Sequence, residues 1–373
     1  MRDRRWWPLT LGALLPALLL AACVEHVEQT PADGGTRPQD FIFEPIGRFA
    51  IEVDRLWWPV FWIAVGVFVL VMGLLLYAIL RYRERPDDDP DELPKQIHGN
   101  PRLEAIWTII PAVILAIVAV PTVRTIFLLA EAPEDAFIIE VTAHQFWWEF
   151  EYPDHDNLVT ANEMVMPTGT EIVLEMQSTD VIHSFWVPKL TGKQDVVPGH
   201  TNTLRLYTDV EGEYLGQCAE FCGISHANMR LRVLAVSPDE FEVWAEQQSQ
   251  PQEHPIAGTE QGQELFAQHC TACHQVRGHP TPGARVGPDL TYFADREWFA
   301  GAIFRNDVLD DAEAVRDWIV NAPRKKPMEW DRTPLTGMPP FTALSDDEVD
   351  ALVAYLRELT SDDLIDRPDP VTP

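Results

Sequence analysis

Cys218-Ala219-Glu220-Phe221-Cys222-Gly223-Ile224-Ser225-His226-Ala227-Asn228-Met229 places two thiols, an imidazole and a thioether within twelve residues. Such a soft donor set suits copper rather than magnesium or calcium, which prefer oxygen ligands. A second imidazole is available in His183, just before Ser184-Phe185-Trp186. A β-sandwich can bring a strand-end histidine beside a late loop, as mononuclear blue-copper sites do. One cysteine would serve one copper. Two thiolates can bridge a pair, each copper keeping one histidine and one weak ligand, and one electron shared between two metals spreads the change of geometry on reduction. A disulfide would leave two histidines and a methionine without a role. Structural zinc ordinarily wants a second pair of ligands beside its C-x2-4-C and would leave Met229 idle. Copper is the expectation.

The sequence around this loop reads as strands. Phe137–Val141, Glu171–Met176, Thr203–Tyr207 and Arg230–Leu234 alternate or are β-branched. Pro167-Thr168-Gly169 and Pro198-Gly199 punctuate them as turns. About a hundred such residues predict a Greek-key sandwich over 131–245.

On the N-terminal side the pattern is that of a membrane anchor. Arg2, Arg4 and Arg5 precede an apolar run from Leu9 to Ala22, which reads as a signal peptide over 1–22. It closes on Leu20-Ala21-Ala22-Cys23, similar to the lipobox of bacterial lipoproteins, so Cys23 is the expected lipidation site. Leu56–Leu80 and Ala105–Val123 contain no charged residue and are long enough to cross a bilayer, giving spans near 56–80 and 105–129 within the segment 23–130. The loop between them carries Arg81, Arg83, Arg85, Lys95 and Arg102, which places it in the cytoplasm. Asp54, Glu131, Glu134 and Asp135 then lie outside, with everything beyond about residue 130.

After a polar linker at 246–258, a helical pattern starting at Thr259 runs into Cys270-Thr271-Ala272-Cys273-His274. C-x-x-C-H is the attachment signature of haem c, with two thioethers and a proximal histidine. A redox C-x-x-C would sit in a βαβ context, whereas these surroundings are helical. For the sixth ligand Met338, in Gly337-Met338-Pro339-Pro340-Phe341, is favoured over Met328, because one clean helix follows it. Ser345-Asp346-Asp347-Glu348 is that helix's capping box, and Val349, Leu352, Val353, Tyr355 and Leu356 form its apolar stripe. The haem domain is expected over 259–362, with a tail at 363–373.

The length of 373 residues accommodates these domains, and the five cysteines are all used by them. Acidic residues outnumber basic ones 58 to 28, for a net charge of −30. That balance argues against nucleic-acid binding and is compatible with a basic protein partner or with plain solubility.

Residues 40 to 240 resemble subunit II of the haem–copper cytochrome c oxidases, through Cys218-x-Glu220-x-Cys222-x3-His226-x2-Met229 and the upstream His183-Ser184. Residues 259–360 resemble a small class I cytochrome c, including the Gly287-Pro288-Asp289-Leu290 turn. The resemblance implies a multidomain membrane protein: a transmembrane hairpin, an all-β cupredoxin sandwich and an all-α cytochrome c domain. It implies that Cys218 and Cys222 bridge two coppers of a CuA centre, with His183 and His226 as terminal ligands, Met229 axial, and Glu220 giving its backbone carbonyl. The Glu220 side chain would reach a magnesium ion shared with subunit I, and the Pro288 carbonyl would orient the proximal His274. Retained copper ligands imply a cytochrome rather than a quinol donor, either a soluble or membrane cytochrome c or a cytochrome bc complex. Subunits I and III are the implied partners, in a bacterial inner membrane with both soluble domains on the periplasmic side. Glu104 falls where the family has a carboxylate at the mouth of a proton path; alone it would read as an interfacial acid. His144-Gln145-Phe146-Trp147-Trp148 matches the aromatic cluster through which the family admits electrons, but Phe146 stands where tryptophan is usual. Phenylalanine lacks an indole N–H, and Trp147 and Trp148 read equally as substitutes or as core aromatics.

The implied activity is electron transfer from a cytochrome through haem c and CuA to an oxygen site in subunit I, in a proton-translocating oxidase. Two spans cannot build that oxygen site, so no catalytic residue is expected in this chain. The rival reading is a free-standing membrane-anchored carrier, which would need neither Glu104 nor Glu220. Nitrous oxide reductase carries a similar dicopper motif but lacks the hairpin and would need a second, histidine-rich cluster.

Overall fold

The structure, a computed structural model, describes residues 42–83, 96, 98–133, 136–156, 158–306, 310, 312–331, 337–361, 367–369 and 371. The expected signal peptide, Cys23, the loop residues Arg85 and Lys95, and Glu134 and Asp135 lie outside the described residues.

Two long helices come first, α1 (Arg48–Arg81) and α2 (Pro101–Ala130). Each extends past its expected span, because the polar ends add helical turns at no cost to the apolar middle. Asn100 caps α2 by accepting from the backbone N–H of Arg102 and Leu103, with Pro101 pre-set for the first turn. Their apolar side chains face outward: Leu70, Leu74, Leu115 and Ile117 are all exposed, as lipid-facing residues of a spanning pair must be. Only the start of α1 is buried in protein. There Phe49 is fully covered and the Arg205 guanidinium lies 4.6 Å from its ring centroid. The Arg205 side chain also donates to the Leu128 carbonyl near the end of α2, so one sandwich residue grips both helices.

The sandwich has two five-stranded sheets. The first runs in the order β3 (Leu158–Ala161), β2 (Trp147–Tyr152), β1 (Phe137–His144), β5 (Ile172–Ser178), β8 (Asn202–Leu206). The second runs β4 (Glu163–Pro167), β10 (Arg230–Val236), β9 (Gly212–Cys218), β6 (His183–Trp186), β7 (Gln194–Val196). Its core is formed by alternate inward residues such as Ile139, Val141, Leu174, Met176 and Val233. Helix α3 (Pro238–Ser249) closes one end, started by a Ser237/Glu240 capping box and anchored by Phe241 and Trp244 against Tyr152. It continues through Ser249, so the first residues of the stretch expected to be linker are helical. Burial of Phe241 and Trp244 carries the helix further than the polarity of Glu246–Ser249 suggests.

Helices α4 (Glu260–His269), α5 (Glu313–Lys325) and α6 (Asp346–Arg357) build the C-terminal domain, together with a small ribbon, β11 (Trp298–Phe299) and β12 (Phe304–Arg305). Gly262 of α4 lets it cross α6 at backbone distance, since a Cβ there would lie 2.1 Å from the Ala351 carbonyl. The Ser345/Glu348 capping box starts α6, whose Val349, Leu352, Val353, Tyr355 and Leu356 are buried.

This domain packs against the sandwich. Arg285 donates to Glu149 (2.9 Å) and Glu151 (2.7 Å) of β2. The Trp298 backbone N–H donates to Glu163 (3.1 Å), and the Arg232 guanidinium lies 4.2 Å from the Trp298 ring centroid. Residues expected to form a tail return to the same seam. Val371 and Asp369 pair with the backbone of Glu213 on the open flank of β9, while Arg367 donates to Glu163 at 2.7 Å and to the Asp295 carbonyl at 2.9 Å.

Candidate functional site

Strand β9 ends on Cys218, and β10 begins at Arg230 just after Met229. The intervening loop is closed by the Cys218 N–H donating to the Met229 carbonyl (2.9 Å) and by a 3-10 turn over His226–Asn228. It is joined to β6 by the Ala219 N–H donating to the Ser184 carbonyl, at 2.9 Å, which brings His183 alongside. Gly223 is required at the loop's apex. Its φ of +136° is poorly tolerated by other residues, and a Cβ would lie 2.9 Å from the Phe146 ring.

The expected copper ligands converge there. The Cys218 and Cys222 sulfurs stand 3.9 Å apart, far beyond the ~2 Å of a disulfide. His183 Nδ1 is 3.9 Å from the Cys218 sulfur, and His226 Nδ1 is 3.7 Å from that of Cys222. Met229 Sδ is 3.8 Å from the Cys222 sulfur, and the Glu220 carbonyl oxygen 3.2 Å from that of Cys218. Each sulfur therefore has one imidazole and one weak donor beside it, a set that fits two soft metal ions sharing two thiolates. His183 is fully buried, and its Nε2 pairs with Asp180 Oδ1 at 2.8 Å, which leaves Nδ1 free to face the sulfurs. The contact between the two sulfurs holds the Cys218 thiol down at about 4 and pushes the Cys222 thiol above its usual range. The Glu220 side chain is exposed and accepts from the Phe221 N–H.

A cavity of about 590 Å³ lies between the sandwich and the C-terminal domain, within the size range of cofactor pockets. Cys270, Cys273 and His274 line it, as do Met328 and Met338. His274 Nδ1 donates to the Pro288 carbonyl at 2.8 Å, leaving Nε2 to face the cavity. Gly287 is needed beside it, since a Cβ would come within 2.8 Å of the His274 ring. Both methionines reach the cavity, and the Met338 N–H lies 3.1 Å from Met328 Sδ, so the two candidates for the sixth ligand are neighbours. In the cavity wall the buried Trp298 Nε1 has no partner among the described residues. A large planar group with carboxylate arms, anchored by two thioethers, fits these walls and that donor.

The aromatic cluster separates into three roles. Phe146 is buried, with its ring against Gly223 of the sulfur loop, and it also lines the cavity. Trp147 lines the cavity as well and stacks on His144 at 4.2 Å between centroids. Trp148 instead belongs to the sandwich core, edge-on to Phe185 at 5.4 Å. Burial pushes the His144 imidazole down to about 4, so it is neutral at physiological pH. Glu104 stands in the first turn of α2, exposed, at the end of the hairpin away from the sandwich.

One residue beyond the motifs joins the two sites. Lys326 is buried, and its ammonium donates to the Phe146 carbonyl at 2.6 Å and the Ala300 carbonyl at 2.8 Å. Burial lowers it to about 7, and the nearby Cys222 sulfur only partly opposes this. The run Arg324-Lys325-Lys326 gives no sign of which lysine turns inward; only the packing does so.

An anchored sandwich with a soft-ligand loop, joined to a C-x-x-C-H domain, defines a membrane-bound electron-transfer protein. Residues 49–125 match the family model "Cytochrome C oxidase subunit II, transmembrane domain", residues 155–236 its periplasmic domain, and residues 259–360 "Cytochrome c". The chain is 38% identical over 301 residues to cytochrome c oxidase subunit 2 of Alkalihalophilus pseudofirmus, covering 79% of this chain and 83% of the relative. It is 32% identical over 380 residues to cytochrome c oxidase subunit 2 of Bacillus subtilis, covering 96% and 99%. The chain belongs to the cytochrome c oxidase subunit II family, in a form with a C-terminal cytochrome c domain. It is a subunit of that oxidoreductase, a membrane protein of the electron-transport chain.

Proposed function

We propose that this chain takes electrons one at a time from an external cytochrome and delivers them to the oxygen-reducing core of the oxidase. Cys270, Cys273, His274 and a methionine, Met338 favoured, hold a covalent haem c. His183, Cys218, Glu220, Cys222, His226 and Met229 hold two copper ions. Bound there, both groups supply reversible one-electron chemistry without proton exchange. The observation that carries this reading is the shared wall: Phe146 touches the sulfur loop on one side and the haem cavity on the other. Because the cytochrome domain sits on this face, the external donor docks at the cytochrome domain and not at the copper loop.

The residues of this chain position and insulate. Asp180 fixes the His183 ring, the Pro288 carbonyl fixes His274, and the buried sandwich side chains exclude water from the thiolates. Glu220 presents its carboxylate outward, where a magnesium ion shared with subunit I would be held. Glu104 at the start of α2 would offer a proton at the cytoplasmic surface to a path in subunit I, in an oxidase that translocates protons. In this reading both soluble domains lie on the periplasmic side of a bacterial inner membrane, against subunits I and III. The signal peptide and a lipid on Cys23 belong to the same proposal.

Metal analysis of the loaded full-length protein tests this reading: about two copper atoms per iron are expected, and one copper per iron would indicate a mononuclear site and a free-standing carrier. Met229→Leu is expected to keep both metal counts and the fold while changing the copper electron-spin spectrum. An unchanged spectrum would remove Met229 from the ligand set.

A further inference from the structure

The segment Lys326-Pro327-Met328 spans from the sulfur loop to the haem cavity in three residues. At one end Lys326 binds the Phe146 carbonyl, which belongs to the sandwich, and the Ala300 carbonyl, which belongs to the cytochrome domain. In its middle the Pro327 carbonyl accepts from the hydroxyl of Ser225, the residue before His226. At its other end Met328 lines the cavity. Around it the seam is close-packed. The Arg230 N–H donates to the Gly301 carbonyl at 3.0 Å, and a Cβ on Gly301 would lie 2.7 Å from the Asn228 carbonyl oxygen. Phe146 is secured from below as well, by Gln145 Nε2 donating to the Cys222 carbonyl.

Burying an ammonium group is costly unless its protons are satisfied. An apolar side chain of the same length would fill this space without that cost, and the neighbouring Arg324 and Lys325 both remain exposed. What a lysine adds is two directed bonds, one to each domain, at the residue lying between the two metal sites. We infer that Lys326 is a positioning residue that locks the cytochrome domain onto Phe146 and thereby sets the rate at which electrons pass from haem to copper within this chain. The inference rests on the proposed function. The step it serves moves one electron from the reduced haem iron, which is oxidised, to the copper pair, which is reduced, with no bond made or broken and no further reactant.

The test uses the assembled, metal-loaded oxidase carrying Lys326→Met. The haem is reduced by a flash-excited ruthenium dye, and haem oxidation and copper reduction are followed together. Removing the buried Lys326–Phe146 bond, which joins the two domains, shifts the docked equilibrium by roughly tenfold, so transfer is expected to slow by about that factor. It is also expected to become sensitive to solvent viscosity, because the domain must now find its seat before the electron moves. The haem optical spectrum and the copper electron-spin spectrum are expected to stay as in the wild type. A wild-type rate without viscosity dependence would overturn the inference. If the variant fails to fold or to keep its metals, Ser225→Ala, which removes the second bond of the same segment, decides in its place: slowed, viscosity-dependent transfer supports the lock and an unchanged rate overturns it. A wild-type chain whose reduced haem never reduces copper would overturn the proposed function instead.

Discussion

Cys222→Ser is expected to lower copper from about two atoms per iron to one or none and to cut cytochrome oxidation by the assembled complex at least a hundredfold. The estimate starts from the roughly 10–100-fold that loss of a supporting partner costs a metal site; Cys222 is more than such a partner. Its sulfur stands between the Cys218 sulfur, His226 Nδ1 and Met229 Sδ, at 3.9, 3.7 and 3.8 Å, so its removal takes one donor from both metal positions at once. Serine offers a hard oxygen that does not bridge soft metals well. The sandwich itself is expected to survive, because its core of Ile139, Val141, Leu174 and Val233 is built elsewhere. Copper analysis and the thermal unfolding curve check the two halves of this expectation. Two retained copper atoms with normal turnover would rule out thiolate bridging.

His274→Ala is expected to leave a haem that is attached but lacks its proximal ligand, with the low-spin spectrum lost and electron delivery from the external donor to copper abolished. Cys270 and Cys273 are untouched and still form the thioethers. The hydrogen bond from His274 Nδ1 to the Pro288 carbonyl and the close approach of Gly287 show that the loop is shaped around this ring. Optical spectra of the reduced and oxidised protein are the check. A normal low-spin spectrum would place the proximal ligand elsewhere.

Most of the chemistry was legible in local sequence, for a physical reason. A metal loop and a haem attachment site each need their donors within a short stretch, so both proposed sites can be read from Cys218–Met229 and Cys270–His274. The hairpin is equally legible, because a bilayer demands long uncharged runs. Strands β1, β5, β8 and β10 were marked by β-branched alternation. Short strands such as β6 and β7 were not, since their pairing depends on partners far along the chain.

What the sequence hid was the relation between the domains. Lys326 sits in an unremarkable basic run, and only tertiary packing turns it inward. The C-terminal residues read as a polar tail, yet Asp369 and Val371 pair with Glu213, and Arg367 bridges Glu163 and the Asp295 carbonyl. The division of the aromatic cluster likewise depends on strand register. In β2 the side chains alternate between faces, so Trp147 meets the cavity while Trp148 enters the core.

The most direct measurement is made on the wild-type, fully assembled oxidase: reduce the haem of this chain with a light flash and follow haem and copper signals together. The expected result is loss of one electron from the haem matched by gain of one at the copper pair, at a rate independent of enzyme concentration. A haem that stays reduced while an added cytochrome reduces the copper directly would contradict the route through this chain.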